Sequence, residues 1–353
     1  MKNQNLAAIG YALAAAVFYA LNVPCSKLLL VHIPPTVMAA FLYLGAGLGV
    51  GILYLFHRRQ ERPEERLAKA DLPYTAGMVL LDILAPILLM LGIRSSTSSN
   101  ASLLGNFEIV ATTIIALLIF HEKVSKRLWA AIGLITLSSI VLTFEGSGSF
   151  RFSVGSLLLL GAASCWGLEN NCTRKISEKS TYQIVTVKGL CSGSGSLITA
   201  LILKEPLPEI RYIPAALILG FVAYGLSIFT YIRAQKTLGA AKTSAYYAAA
   251  PFIGAFLSFV LVKESLSVRY LTALFIMIAG TVFVVRDTLY HAHTHAHTHT
   301  FTHTHDGKTH THTVTHSHPH AHYLTDQTHT HRHSTKELEK LLTEHHTSGA
   351  AHS

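Results

Sequence analysis

The sequence predicts an all-α integral membrane protein: ten transmembrane helices in two inverted five-helix repeats, followed by a disordered histidine-rich tail. Three observations carry that expectation. Half of the 353 residues are apolar, only 13% are charged, and the mean hydropathy is +0.39, a balance foreign to a cytosolic globule of this size. Apolar runs long enough to cross a hydrocarbon layer recur at short intervals. Residues near the start and end of the first half also recur in the second.

The runs are 6–23, 37–56, 73–93, 101–120, 128–144, 154–171, 184–203, 214–232, 244–262 and 270–285. As helices they span about 24–32 Å, close to the thickness of the hydrocarbon layer. Each is apolar nearly all round, whereas a soluble helix keeps a polar stripe. The first run follows Met1-Lys2-Asn3-Gln4-Asn5, has no small-x-small cleavage site and is succeeded by many others. It therefore reads as a first span and not a removed leader.

With the N-terminus in the cytoplasm, the loops on that side collect 16 Lys and Arg against seven on the other, as the positive-inside rule requires. The richest loop, 57–72, holds Arg58, Arg59, Arg62, Arg66 and Lys69. An even number of spans returns the C-terminus to the cytoplasm, and the expected location is the plasma membrane. Residues 1–290 hold 24 basic and 14 acidic side chains. An excess of this kind in an apolar chain marks membrane-flanking loops, so nucleic acid is not an expected partner. Cys25, Cys165, Cys172 and Cys191 lie in apolar stretches without a CxxC pair or a disulfide-framework spacing.

The internal repeat sets the domain boundaries. Tyr19-Ala20-Leu21-Asn22 with Cys25-Ser26-Lys27 aligns at an offset of 147 with Trp166-Gly167-Leu168-Glu169 and Cys172-Thr173-Arg174. Glu122, Ser125 and Arg127 align at an offset of 142 with Glu264, Ser267 and Arg269. Five spans per copy force the second copy to insert upside down. The expected division is 1–144 and 145–290 for the repeats, 291–333 for the histidine-rich tail, and 334–353 for a short helix and the C-terminus.

With the stretches 100–108, 120–125, 243–247 and 262–267, ten spans in this arrangement resemble the EamA family of the drug/metabolite transporter superfamily. The likeness is carried by Asn100-Ala101-Ser102-Leu103-Leu104-Gly105-Asn106-Phe107-Glu108, running into Phe120-His121-Glu122-Lys123-Val124-Ser125. Its second-half counterpart is Thr243-Ser244-Ala245-Tyr246-Tyr247, Pro251 and Val262-Lys263-Glu264-Ser265-Leu266-Ser267. The resemblance covers about residues 6–286 and implies a carrier with a central cavity that alternates access across the membrane. Members of the family move amino acids, other metabolites and drugs. One departure is Ile109, where the family often has proline after the glutamate of the fourth span.

Asp82, Glu108, Glu169 and Lys188 stand inside the runs. A charge at a helix centre costs ~2.5–3.5 kcal/mol on insertion scales, so such residues face protein or water and pair. Each reads as a transport ligand or, alternatively, as a structural ion pair or an end residue snorkelling to the interface. Cys165, Glu169 and Cys172 stand at i, i+4 and i+7 on one helical face, and Asn22 is the repeat equivalent of Glu169. A carboxylate beside two soft sulfurs suits a coupling proton or a transition metal, and buried cysteines also serve as small packing residues.

Glu108 shares its face with Gly105 and Thr112, a composition suited to a cavity lining. Asp82 precedes Pro86 by four residues, where proline frees a backbone carbonyl. Lys188, with Cys191 and Ser192 on its face, neutralises an acid or attracts a substrate carboxylate. Trp166 and Tyr247 are the aromatic candidates for substrate contact, against interface belts and ordinary packing. Glu122 and Glu264 end their spans beside Lys123 and Lys263 and read as loop-anchoring pairs.

Nineteen of the 22 histidines follow Tyr290. His291, His293, His295, His297 and His299 open the H-x-H pattern, and His303, His305, His310 and His312 continue it. His316, His318, His320 and His322 follow, and His329, His331 and His333 end it. No packed core is expected from such a composition, hence disorder in the absence of metal. Neutral imidazoles suit Zn, Ni or Co. The metal's meaning stays open among transported substrate, regulator of transport, and buffering of metal and protons. Ser334-Thr335-Lys336-Glu337 has capping-box spacing before Leu338, Leu341 and Leu342, which predicts a short amphipathic helix.

The leading expectation is a secondary-active carrier of small solutes that requires no cofactor. The sequence holds no G-x-x-x-x-G-K-[ST], no nucleophile–base spacing and no H-E-x-x-H, so neither an ATPase nor another enzyme is expected. A divalent-metal transporter using Glu169, Cys165, Cys172 and the tail is the second reading; a membrane-bound metal buffer or sensor is the third. The expected partners are a small-molecule solute, the lipid bilayer and a divalent metal, with a homodimer left open.

Overall fold

A computed structural model describes residues 2–58, 61–120, 124–143, 153–238, 243, 246–305 and 308–323. The chain divides into two units, Met1–Asp287 and Thr288–Ser353.

The first unit is helical. Among the described residues eight helices are long and apolar enough to cross a membrane by length and composition: Leu6–Leu29, Pro35–His57, Pro63–Ser95, Ser98–Ile119, Lys126–Thr143, Thr181–Ile202, Ile210–Ala234 and Val268–Asp287. The expected ten thus become eight by this measure. The run 154–171 forms the 22-residue helix Val154–Lys175, which carries Glu169, Asn170 and Asn171 and is not among the eight. From the run 244–262 the shorter apolar helix Ala250–Val262 emerges.

In chain order the elements are α1 (Lys2–Ala20), α2 (Asn22–Leu29), α3 (Pro35–His57), α4 (Leu72–Ser95), α5 (Ser98–Leu104), α6 (Phe107–Phe120) and α7 (Lys126–Thr143). The second half contains α8 (Val154–Lys175), α9 (Thr181–Ile202), α10 (Ile213–Gly220), α11 (Ser227–Leu238), α12 (Ala250–Leu257) and α13 (Val268–Leu289). Between α10 and α11 the segment Phe221–Leu226 winds as a π-helix.

Lipid tails are as apolar as leucine, so helices in a bilayer are held by close packing and not by removal from water. The most heavily buried span is α3, which packs on α9, α10, α4 and the π-helical segment. Its crossing with α9 runs glycine on glycine: a Cβ placed on Gly189 would stand 2.4 Å from both Cα and N of Gly47. No side chain fits there, and the absence of one lets the two backbones meet. Met38 and Leu42 of α3, Met90 and Ile93 of α4, and Leu103 and Leu104 of α5 are fully buried in the resulting core. Phe56, Leu80, Ile218 and Phe275 remain largely exposed, the outer apolar surface that lipid covers.

Two turns in the second half share one construction. After α9, Lys204 adopts a left-handed conformation (φ 54°), and after Ala250–Val262, Lys263 does the same (φ 57°). Each is followed by a glutamate that accepts from the start of another helix. Glu205 Oε2 takes the backbone N–H groups of Thr36 and Val37 at 3.1 Å each, and its Oε1 takes the Thr36 hydroxyl at 2.9 Å. Glu264 takes the backbone N–H groups of Ser98 (2.5 Å) and Ser99 (2.9 Å). A carboxylate on the free N–H groups of a helix start also meets the positive end of the helix dipole. Glu264 therefore anchors its loop, as expected, but through the start of α5 and not through Lys263. Glu122, the other expected anchor, lies outside the described residues.

The second unit corrects an expectation. In place of the disorder expected over 291–333, β1 (Tyr290–His305) pairs antiparallel with β2 (Lys308–Tyr323), in register from Tyr290 opposite Tyr323 to His305 opposite Lys308. The physical reason is in the pattern: histidine or another residue at every second position, with threonine at most positions between, is strand periodicity built from a β-branched residue. Asp306-Gly307, between the strands, is a favoured hairpin dipeptide. The expected 334–353 helix and His329, His331 and His333 lie outside the described residues.

Candidate functional site

Three of the four interior ionisable residues come together from three helices. Lys188 of α9 places Nζ 2.9 Å from Glu169 Oε1 of α8 and 3.2 Å from Asp82 Oδ2 of α4. The two acid side chains are 0% and 2% exposed, whereas the lysine is 20% exposed. One ammonium thus bridges two sealed carboxylates and keeps some access to its surroundings.

Each acid has further partners. Asp82 Oδ1 accepts from the Tyr43 hydroxyl at 2.9 Å and the Trp166 indole N–H at 3.2 Å; Trp166 also donates to Tyr43 Oη at 3.3 Å. Asp82 Oδ2 has only the lysine contact, without an aligned hydrogen bond. Glu169 Oε1 accepts from the hydroxyl of Thr173, one turn later on the same helix. Pro86, inside α4, removes the N–H that would serve the Asp82 carbonyl.

Glu108 joins through the residue beside Glu169. Asn170 donates to Glu108 Oε1 at 2.6 Å and to Thr112 Oγ1 at 3.4 Å, so α6 and α8 are hydrogen-bonded across their packing face. Asn171 donates to the carbonyls of Thr112 and Gly167. Asn22, the repeat equivalent of Glu169, does not reach the acids. It donates to the Tyr224 hydroxyl at 2.9 Å and accepts from Ser26 at 3.2 Å.

Tyrosines connect these parts. Tyr224, held by the π-helical segment, lies with ring centroid 5.3 Å from Tyr43 and 6.0 Å from Tyr19. Tyr19 continues to Tyr247 at 5.9 Å, and Tyr247 to Tyr231 at 5.2 Å. The two aromatic candidates therefore take different places: Trp166 touches the acid cluster, and Tyr247 stands in a tyrosine row between Tyr19 and Tyr231. A π-helical turn widens the helix locally and is a frequent feature of functional sites.

On the shared face of Cys165, Glu169 and Cys172 the carboxylate already has partners. Glu169 is engaged by Lys188 and Thr173, and the cysteines are half-buried and free. Among the described residues of the helical unit no three His, Cys, Asp or Glu side chains are grouped to hold an ion. Sequence reasoning missed Tyr43, Tyr224, Thr173 and Asn170. For Asn170 the signal was present, since Glu169-Asn170-Asn171 is a polar triplet inside an apolar run.

Chemically, the cluster sets two carboxylates against one ammonium, with a third carboxylate, Glu108, within electrostatic reach of Glu169 and Lys188. Such a set can exchange a proton or a cation while the lysine holds whichever acid remains charged.

Comparison with known proteins places this arrangement. A transporter of Methanothermobacter thermautotrophicus (strain Delta H), itself uncharacterized, is 26% identical over 291 residues, 77% of this chain and 84% of its own length. The uncharacterized transporter YyaM of Bacillus subtilis (strain 168) is 22% identical over 181 residues, 49% of this chain and 59% of its own. One solved crystal structure of a protein superposes with a TM-score of 0.58 at 17% identity, covering 80% of this chain and 97% of that one; at such identity the likeness shows the fold. The EamA-like transporter family matches residues 6–144 and again 153–286. With the acid cluster contributed from both matched segments, and each segment spanning half of the helical unit, the chain belongs to the EamA-like transporter family and is a multi-pass membrane transporter.

Proposed function

We propose that the protein is a secondary-active carrier of a small organic solute, coupled to protons through Asp82, Glu169 and Lys188. Its two halves, 1–144 and 145–290, act as inverted five-helix repeats that alternate access across the plasma membrane, with both termini in the cytoplasm. The observation that carries this reading is the single lysine shared by two sealed carboxylates.

With both acids ionised, the cluster holds one uncompensated negative charge, and a buried charge without a partner is costly. A proton on either acid, or a cationic group of the solute, removes that cost. Opening to water restores hydration and lets the proton or cation leave. Occupancy is thereby tied to the closed state and release to the open state, which is the requirement for coupling. Glu108 with Asn170 and the tyrosine row from Tyr43 to Tyr247 supply polar and aromatic contacts for the solute, and Asn22 holds the Tyr224 hydroxyl in place.

The test is uptake by proteoliposomes under an imposed pH gradient, with a panel of amino acids and amines as probes. The intact protein is expected to move at least one probe in a gradient-dependent way, and the Asp82→Asn, Glu169→Gln and Glu108→Gln triple variant to lose that dependence. Uptake that follows the gradient equally in the triple variant would overturn the assignment.

A further inference from the structure

The paired strands hold an arrangement that transport does not use and that stands independently of the transport reading. In an antiparallel pair, residues opposite one another lie on the same face, and successive residues along each strand lie on alternate faces. All 13 histidines of β1 and β2 fall on one of the two faces. Five cross-strand positions are histidine on both strands: His291 with His322, His293 with His320, His295 with His318, His297 with His316, and His303 with His310. The first four are consecutive on that face. The other face holds threonine, alanine and serine, apart from Pro319 and the terminal tyrosines.

Chance placement along a merely histidine-rich polymer does not produce this. Every histidine of the first strand has odd parity and every one of the second has even parity, and the register sums to an odd number. The two rows therefore coincide on one face. A histidine shifted by one position would leave that face.

The spacing suits one ligand class. Opposed positions in a ribbon are ~4.5–5.5 Å apart, and neighbouring rungs on one face are ~6.6–6.8 Å apart, two residues of rise. An imidazole ligand adds reach of several ångströms and binds at ~2.0–2.1 Å. Two adjacent rungs therefore place four histidine positions on one face within the span of a single ion's ligand set. Nitrogen-only sets of this kind suit borderline divalent ions. A lone two-stranded ribbon is also marginal in water, and an ion bound across the strands stabilises the paired form over the unpaired one.

The geometry points to a divalent transition-metal site on the histidine face of the β1–β2 ribbon, holding two ions per chain. The rungs 291/322 and 293/320 form one adjacent pair of histidine positions, and the rungs 295/318 and 297/316 the other. Zn, Co and Ni are the ions this donor set admits.

The experiment uses the full-length protein in detergent and a variant of identical composition. In the variant each of His316, His318, His320 and His322 is exchanged with the residue that follows it, as in His316→Ser with Ser317→His. The swap moves the second row to the other face and removes no histidine. Cobalt(II) is titrated into both proteins, with visible absorption and metal content after gel filtration as readouts, and infrared absorption follows strand content. The intact protein is expected to retain two cobalt ions with an imidazole-type spectrum and to gain strand signal on loading. The swapped protein is expected to bind at least tenfold more weakly and gain none. Equal binding by both, or no binding by the intact protein, overturns the proposal. Neither result touches the proton-coupled flux, which is read in proteoliposomes.

Discussion

Two sets of carboxylates in the helical unit are held by different means. Asp82 and Glu169 are sealed among helices and answered by one shared ammonium. Glu205 and Glu264 stand at helix starts and are answered by backbone N–H groups fixed by the helices that own them. The partner decides what the acid can do. A carboxylate on helix N–H groups has a satisfied, immobile environment and works as a fastener. A carboxylate that shares its counter-charge with a second acid always leaves one of the two short of a partner, which makes it a point of exchange.

That contrast can be broken from either side. Removing the shared cation has the largest expected effect: Lys188→Met strands two buried acids, and breaking a buried pair costs about 3–5 kcal/mol. Thermal unfolding in detergent should show a large loss, and adding Asp82→Asn should recover a substantial part of it. A Lys188→Met protein as stable as the parent would show that the acids are already neutral. Next, Asp82→Asn alone is expected to preserve the fold and lower gradient-driven uptake at least tenfold, about 1.4 kcal/mol in barrier. This is measured as flux per folded protein.

Fasteners should behave otherwise. Glu264→Gln is expected to cost about 1–2 kcal/mol through a weakened helix-start contact and to leave the pH dependence of uptake unchanged. Hydrogen exchange at Ser98 and Ser99 should rise, and a shifted pH profile would move Glu264 into the exchange set. The smallest effect belongs to a third kind of pair, Arg211 with Glu209 at 2.8 Å, both about two-thirds exposed. Glu209→Gln should change stability by less than about 0.5 kcal/mol, within the scatter of the same unfolding experiment.

The exchange set is largely legible in the sequence, because an ionisable residue inside an apolar run is conspicuous whatever surrounds it. Asp82, Glu169 and Lys188 stand out in this way, and pairing among them is one of their readings. Their uncharged partners do not. Tyr43 and Tyr224 look like any aromatic in a span, and helices that are apolar all round carry no stripe to say which way they are turned. The fasteners are half legible: Glu264 reads as an anchor, but its partner is a backbone 165–166 residues away, which no local spacing reveals. In the tail, composition and alternation point in opposite directions. Low apolar content argues for disorder, while the period of two that builds the ribbon stands in plain view.

The π-helical segment that carries Tyr224 has one consequence for motion. A π turn holds an extra residue relative to an α-helix, and one residue of an α-helix corresponds to about 100° of rotation. If Phe221–Leu226 tightened to α geometry, everything downstream to Leu238 would turn as on a screw thread, by about a quarter of a revolution and about 1.5 Å along the axis. The Tyr224 hydroxyl would leave Asn22, and Ser227 would leave the Ala15 carbonyl that it now holds at 2.9 Å. The surplus residue thus sets the angular position of this helix, and two hydrogen bonds mark it.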